Sequence, residues 1–186
     1  MTRQFNFEII PEIKERWSPR AFDSRLVPRE DLMPLLEAAR FAPSCFNEQP
    51  WRFIIADNEV MLQKMRGLLT PSNLEWAKKA PVLILIVSKK TFTLNGKDNY
   101  WHMFDAGTSW GYLSLEAQRR GLITHAMGGF NREKAREEFC IPEDYTIIAV
   151  IAVGYYGQKD SLSQELQSRE NPDNRKNIED LFLKGQ

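Results

Sequence analysis

Apolar positions along the chain follow two rhythms. After Pro28, the residues Leu32, Leu35, Leu36 and Ala39 recur at three- and four-residue intervals, which gathers them on one face of a helix. Pro28 suits the start of that helix because its φ is already fixed, and Glu30 and Asp31 lie near the positive end of the helix dipole. Helical spacing returns over residues 59–69, in a short segment at 74–79 that Pro81 stops, and in the charged run 132–139. The longest helical candidate is 98–120, closed by Gly121, a residue well suited to the left-handed position after a helix. Inside it, Gly107 and Gly111 lie one turn apart on one face and permit another helix to approach closely. The alternative is glycine merely tolerated within a long helix, at about 1 kcal/mol each relative to alanine.

The second rhythm is continuous. Trp51–Ala56, residues 82–87, residues 122–127 and Tyr145–Gly154 are short apolar or β-branched runs of strand length, and 82–87 predicts a fully buried strand. Helices and strands mix throughout, so the class is α+β or α/β. No repeat, low-complexity tract or long linker interrupts the 186 residues, which predicts one domain over 1–186. From Gln158 onward the chain turns polar, with no regular period before 178–183. That tail is expected either to be disordered or to be ordered by something other than its own core, such as a ligand or a second subunit.

Charge changes the picture mainly by exclusion. With 25 basic and 25 acidic side chains the formal net charge is +0, which argues against whole-surface binding to nucleic acid or to an anionic membrane. The longest apolar runs are far short of the roughly 20 residues that span a bilayer, and the first residues contain no continuous apolar stretch. A soluble, cytoplasmic protein with reduced thiols is expected. Two cysteines and two histidines build neither a multi-bridge disulfide framework nor a His-rich metal cage.

Three clusters carry candidate chemistry. In Arg16-Trp17-Ser18-Pro19-Arg20-Ala21-Phe22, two guanidiniums and a hydroxyl fall within five residues, equipment for phosphate oxygens or simply a solvated basic turn. The loop Ala42-Pro43-Ser44-Cys45-Phe46-Asn47-Glu48-Gln49-Pro50-Trp51 is stiffened by two prolines. Asn47 and Gln49 can read a polar heterocyclic edge or cap the loop's own backbone, and Cys45, with no base identified, reads as a small semi-buried residue. In Met127-Gly128-Gly129-Phe130 paired glycines let a backbone N–H approach a flat ligand, or make an ordinary turn. No Gly-x-Gly-x-x-Gly or phosphate-loop pattern occurs, so a dinucleotide held on a Rossmann unit is not expected.

Taken in order and spacing, these clusters resemble the nitroreductase family. The family's opening motif, roughly Arg-Arg-Ser-x-Arg-x-Phe, is matched by Arg16, Ser18, Arg20 and Phe22, and its Ala-Pro-Ser-x-x-Asn-x-Gln-Pro-Trp loop is matched from Ala42 through Trp51. Asp105-Ala-Gly107, Leu113-x-Leu115-x-Ala117, Gly121-Leu122, Gly128-Gly129-Phe130, Gly154-Tyr155 and Arg175-Lys176 extend the likeness over nearly the whole chain.

The resemblance implies an α+β fold of α/β sandwich type: a mixed, mostly antiparallel sheet flanked by helices, a long central helix, and a homodimer with exchanged C-terminal tails. It implies FMN bound between the subunits, without a covalent bond. Arg16 and Ser18 would meet the phosphate and ribityl chain, with Trp17 beside them. Arg20 would lie near the pyrimidine edge, where positive charge stabilises the reduced flavin. Pro43, Ser44, Cys45, Asn47 and Gln49 would come from the opposite subunit, Met127, Gly128 and Gly129 would address the ring, and Arg175 would reach the phosphate after the tail crosses the dimer. No metal and no protein nucleophile is implied. The implied activity is that of an oxidoreductase taking hydride from NADH or NADPH and reducing nitroaromatics, quinones or similar electrophiles by a ping-pong route, with Tyr100 and Trp101 as a substrate lid or as packing at the dimer edge. Alternatives are a flavin carrier or sensor without turnover, a family variant acting as a dehalogenase, and a phosphate-anchored binder lacking flavin. Trp17 stands where a cation is frequent, Gly128 where several members carry an acid, and the short stretch between Leu69 and Pro81 is expected to supply the ring with neither amide nor lysine.

Overall fold

The apolar runs fold into a sheet that lies between two hydrophobic cores. A computed structural model describes residues 3–183 and contains strands β1 (Trp51–Ala56), β2 (Val82–Lys89), β3 (Ile123–Met127) and β4 (Tyr145–Gly154). They form one sheet in the order β1-β2-β4-β3, and every pairing among them is antiparallel, where a mixed, mostly antiparallel sheet was expected. β2 and β4 are central. Alternate residues of β2 serve two cores: Leu83, Leu85 and Val87 face one, Val82, Ile84 and Ile86 the other. Burial on both faces is why this strand reads as an unbroken aliphatic run.

Helices cover each face. On one side α2 (Arg29–Arg40) and α5 (His102–Arg119) pack through Leu32, Leu35 and Ala39 against Ala106, Leu113 and Ala117. On the other, Leu62 and Met65 of α3 (Glu59–Arg66), Trp76 and Ala77 of α4 (Pro71–Ala77), Ala135 of α6 (Arg132–Glu138) and Leu166 of α7 (Gln164–Ser168) fill the second core. A short α1 (Pro11–Glu15) precedes them. Truncating one of the large aliphatic side chains that are fully buried here would cost about 2–5 kcal/mol.

Several expectations need correction. α5 begins at His102 instead of 98, because Thr91 bridges Asp98 and the Asn99 side chain accepts from Trp101 N, which makes residues 98–101 a turn. Its end is as expected, with Gly121 at φ +71°. A Cβ at Gly107 or Gly111 would find open space among the described residues, while α2 packs on the face of α5 that carries Ala106 and Leu113. The tail is not ordered only from outside. Leu162 and Leu166 are buried in the core, and α7 forms between them and Glu170, although the later residues 173–183 are exposed. None of the helices is long and apolar enough to cross a membrane among the described residues.

Candidate functional site

β3 is an edge strand, and its position organises one half of the candidate site. His125, in the middle of β3, places Nδ1 2.9 Å from Pro19 O. A carbonyl only accepts, so Nδ1 carries the proton and donates. His125 also packs on Trp76, with ring centroids 4.5 Å apart. Burial pushes its pKa down to about 4, the hydrogen bond it donates to the Pro19 carbonyl opposes that shift, and the charges of Arg20 and Arg16 add to the lowering. The imidazole is therefore neutral near pH 7 and acts as a fixed post beneath the Arg16–Arg20 turn.

A second brace comes from the tail. Glu170, only 2% exposed, accepts from Arg20 N at 2.8 and 3.1 Å and from Ala21 N at 2.9 Å. Gly157 N then donates to Ala21 O at 2.7 Å, and Phe22 bridges Tyr156. The turn is thus held from both flanks, with Arg16, Ser18 and Arg20 half-buried upon it.

Around this turn the two ends of the chain meet. Arg3 Nη1 donates to Lys14 O at 3.0 Å and to Arg16 O at 2.8 Å, while Gln4 N donates to Asn174 Oδ1 at 3.0 Å. Arg3, Arg16, Asn174 and Arg175 border one cleft of about 610 Å³, whose apolar side includes Phe5 and Leu115. Burial lowers the pKa of Arg16, and the neighbouring guanidiniums of Arg3 and Arg175 lower it further. Arg175 thus lines the same cleft as Arg16, because the tail runs back along the N-terminal arm. Trp17 does not join this cleft. It turns toward Tyr156, at a centroid distance of 6.2 Å, and borders a separate cleft with Gln118 and Glu170.

Beyond β3, the glycine pair is clamped by α4. Gly129 O accepts from Thr70 N at 3.1 Å, Thr70 Oγ1 at 3.1 Å and Asn73 Nδ2 at 2.9 Å. A Cβ on Gly129 would stand 2.7 Å from Asn73 Nδ2, whereas one on Gly128 would meet nothing. The Gly128 and Gly129 N–H groups have no acceptor among the described residues. Asn73 was missed from sequence: the stretch between Leu69 and Pro81 does bring an amide to the glycines, because Thr70 and Pro71 start a helix whose first turn faces them. Met127 contributes only backbone, its side chain lying in the core. Past the end of β3, Arg132 donates to Ile147 O and Ile148 O, both at 3.2 Å, and so covers the β4 edge.

The loop 43–49 lies elsewhere. It enters β1, the opposite edge of the same sheet, so three strand spacings of about 4.8 Å separate it from β3, about 14 Å in all. Phe46, Asn47 and Gln49 all take positive φ, of 51°, 56° and 50°. Cys45 N donates to the buried Asp105 at 3.1 Å, Gln49 N donates to Ser44 Oγ at 3.0 Å, and Gln49 Nε2 donates to Asn47 O at 2.9 Å. Gln49 thus braces its own loop, while the Asn47 side chain has no partner among the described residues. Tyr100 and Trp101 stand exposed at the start of α5 on this same side, where Phe46 also packs edge-on against Phe92. The predicted residues fall into two groups that a single chain keeps apart.

The model of the nitroreductase family matches residues 13–155, and the chain belongs to that family. A protein of Archaeoglobus fulgidus, provisionally named as an NADH dehydrogenase/NAD(P)H nitroreductase, is 30% identical over 171 residues, 89% of this chain and 95% of its own length. An iodotyrosine deiodinase of Thermotoga neapolitana is 26% identical over 165 residues, covering 76% and 85%. Among solved structures, one described as an oxidoreductase containing FMN superposes with a TM-score of 0.93 at 36% identity, over 99% of this chain and 95% of that one.

Proposed function

We infer that this protein is an FMN-dependent oxidoreductase that works as a homodimer and takes its electrons from NADH or NADPH. The observation that carries the reading is the convergence of Arg3, Arg16 and Arg175 on one cleft, on the same edge of the sheet as the Gly128 and Gly129 N–H groups. Among the described residues none of the three guanidiniums makes an ion pair, so they form a cradle for an anion rather than an internal salt bridge. A flavin nucleotide fits that arrangement, with a dianionic phosphate at one end and a flat ring that accepts backbone N–H donors at the other. The FMN-containing structure of 36% identity supports the same assignment.

Bound FMN would supply the two-electron exchange, with hydride arriving from the nicotinamide and leaving, in ping-pong order, to a nitroaromatic, a quinone or a similar electrophile. The chain's own residues bind and orient. Arg16, Ser18 and Arg175 hold the phosphate end, and Arg20 keeps positive charge on the turn that His125 and Glu170 brace. Asn73 fixes the Gly129 carbonyl, which aims the adjacent N–H groups outward. Ser44 and Asn47 would complete the site from the second subunit, since their own chain holds them at the far edge of the sheet. The open Gly107 and Gly111 face, with exposed Tyr100, Trp101 and Phe104 beside it, supports a dimer burying more than about 2,000 Å².

A second reading, reductive dehalogenation on the same flavin, has the deiodinase relative in its favour. The test is anaerobic mixing of the purified yellow protein with NADH or NADPH, followed by a panel of nitroaromatic, quinone and halophenol acceptors. Bleaching within seconds and recolouring by an acceptor is expected. Colour that persists with both donors would indicate a carrier or sensor, and colourless protein that takes up no added FMN would overturn the flavin assignment.

A further inference from the structure

Arg3 lies 13 residues before the basic turn and belongs to no motif, yet the fold carries it to the centre of the anion cleft. Its Nη1 bonds to the carbonyls of Lys14 and Arg16, at the end of α1, account for one nitrogen only. Its Nε is buried and has no partner among the described residues. Burial and the nearby Arg175 lower its pKa, and Asp173 is the carboxylate that opposes them. The Gln4 bond to Asn174 zips the N-terminal arm to the tail at this point, so Arg3 and Arg175 arrive as a pair from opposite ends of the polypeptide. Three like charges share one cleft and, among the described residues, none of them makes an ion pair; one also has an unused buried donor, and the group is matched to an anion that sits between them.

We propose that Arg3 is a third phosphate-binding guanidinium of the cofactor site, so that the N-terminal arm and the C-terminal tail together close on the phosphate of the flavin nucleotide. The inference rests on the FMN reading above and adds to it a residue that lies outside the family's opening motif. The arm is then part of the binding site.

The test separates charge from scaffolding. Arg3→Gln retains an amide that can donate to the Lys14 and Arg16 carbonyls but removes the positive charge, and Arg3→Lys retains the charge. Full-length chains stripped of flavin are titrated with FMN and with riboflavin, which lacks the phosphate, by quenching of flavin fluorescence at two salt concentrations. For Arg3→Gln the Kd for FMN is expected to rise about tenfold, with a flatter salt dependence, while the Kd for riboflavin moves less than about twofold. Arg3→Lys is expected to stay within about threefold of the parent for both. A parental ratio of FMN to riboflavin affinity in Arg3→Gln, whether both affinities hold or both fall together, would overturn the proposal and leave Arg3 as a cap on α1. A parent chain that binds neither flavin would instead overturn the FMN reading, and the Arg3 assignment with it.

Discussion

The two halves of the candidate site are built to opposite specifications. On the β3 edge every turn is tied by long-range bonds: Glu170 to the backbone of Arg20 and Ala21, His125 to Pro19, and Asn73 to Gly129. At the β1 edge the 43–49 loop holds three non-glycine residues in the left-handed region, and Phe46 is 90% exposed. Such residues cost of order 1 kcal/mol or more each, a cost usually met at functional sites. The arginine half is tied at each turn, whereas the loop half, held by Cys45 N on Asp105 and by Glu48 on Thr93 N, leaves the Asn47 side chain without a partner among the described residues.

Breaking the braced half should have the largest effect. Glu170→Ala would leave two inward N–H groups without acceptors and should lower unfolding free energy by about 4 kcal/mol in urea titrations. If the loss were below about 1 kcal/mol, the carboxylate would not be what ties the tail to the turn.

The second effect is one of pH. The unfolded imidazole of His125 titrates near 6.5 and the folded one near 4, so the unfolded chain holds more protons between those values. Stability therefore rises with pH across this window. It should be up to about 3 kcal/mol lower at pH 4 than above pH 6.5 from this group alone. Urea titrations of His125→Gln should show a shallower pH slope than the parent; identical slopes would remove the histidine from the account.

The smallest effect belongs to the loop. Phe46→Asn exchanges an exposed ring for a residue that tolerates positive φ, and should change the stability of the isolated chain by less than about 1 kcal/mol, in the stabilising direction. Destabilisation by about 2 kcal/mol or more would mean that the Phe46 ring, through its contact with Phe92, braces the loop.

The contrast also explains what was legible beforehand. The strands Trp51–Ala56 and Tyr145–Gly154 could be read to the residue, because short runs rich in apolar and β-branched side chains stand apart from helical spacing. The motif clusters were visible because their residues are neighbours in sequence. α7 was not, since Leu162 and Leu166 make too short a pattern and its anchor, Glu170, acts 150 residues away from Arg20. Arg3 and Asn73 escaped for the same reason: each acquires its position only when distant segments return to it. The two glycines were read as permitting close approach of another helix, and among the described residues a Cβ at either would meet only open space.

Arg132 has a consequence before any assembly. The carbonyls of Ile147 and Ile148 project past the end of β3, where a bare strand edge would invite pairing with any extended segment nearby. Two bonds from one guanidinium close that edge with a permanent charge. The chain is thereby guarded against edge-to-edge aggregation at this point.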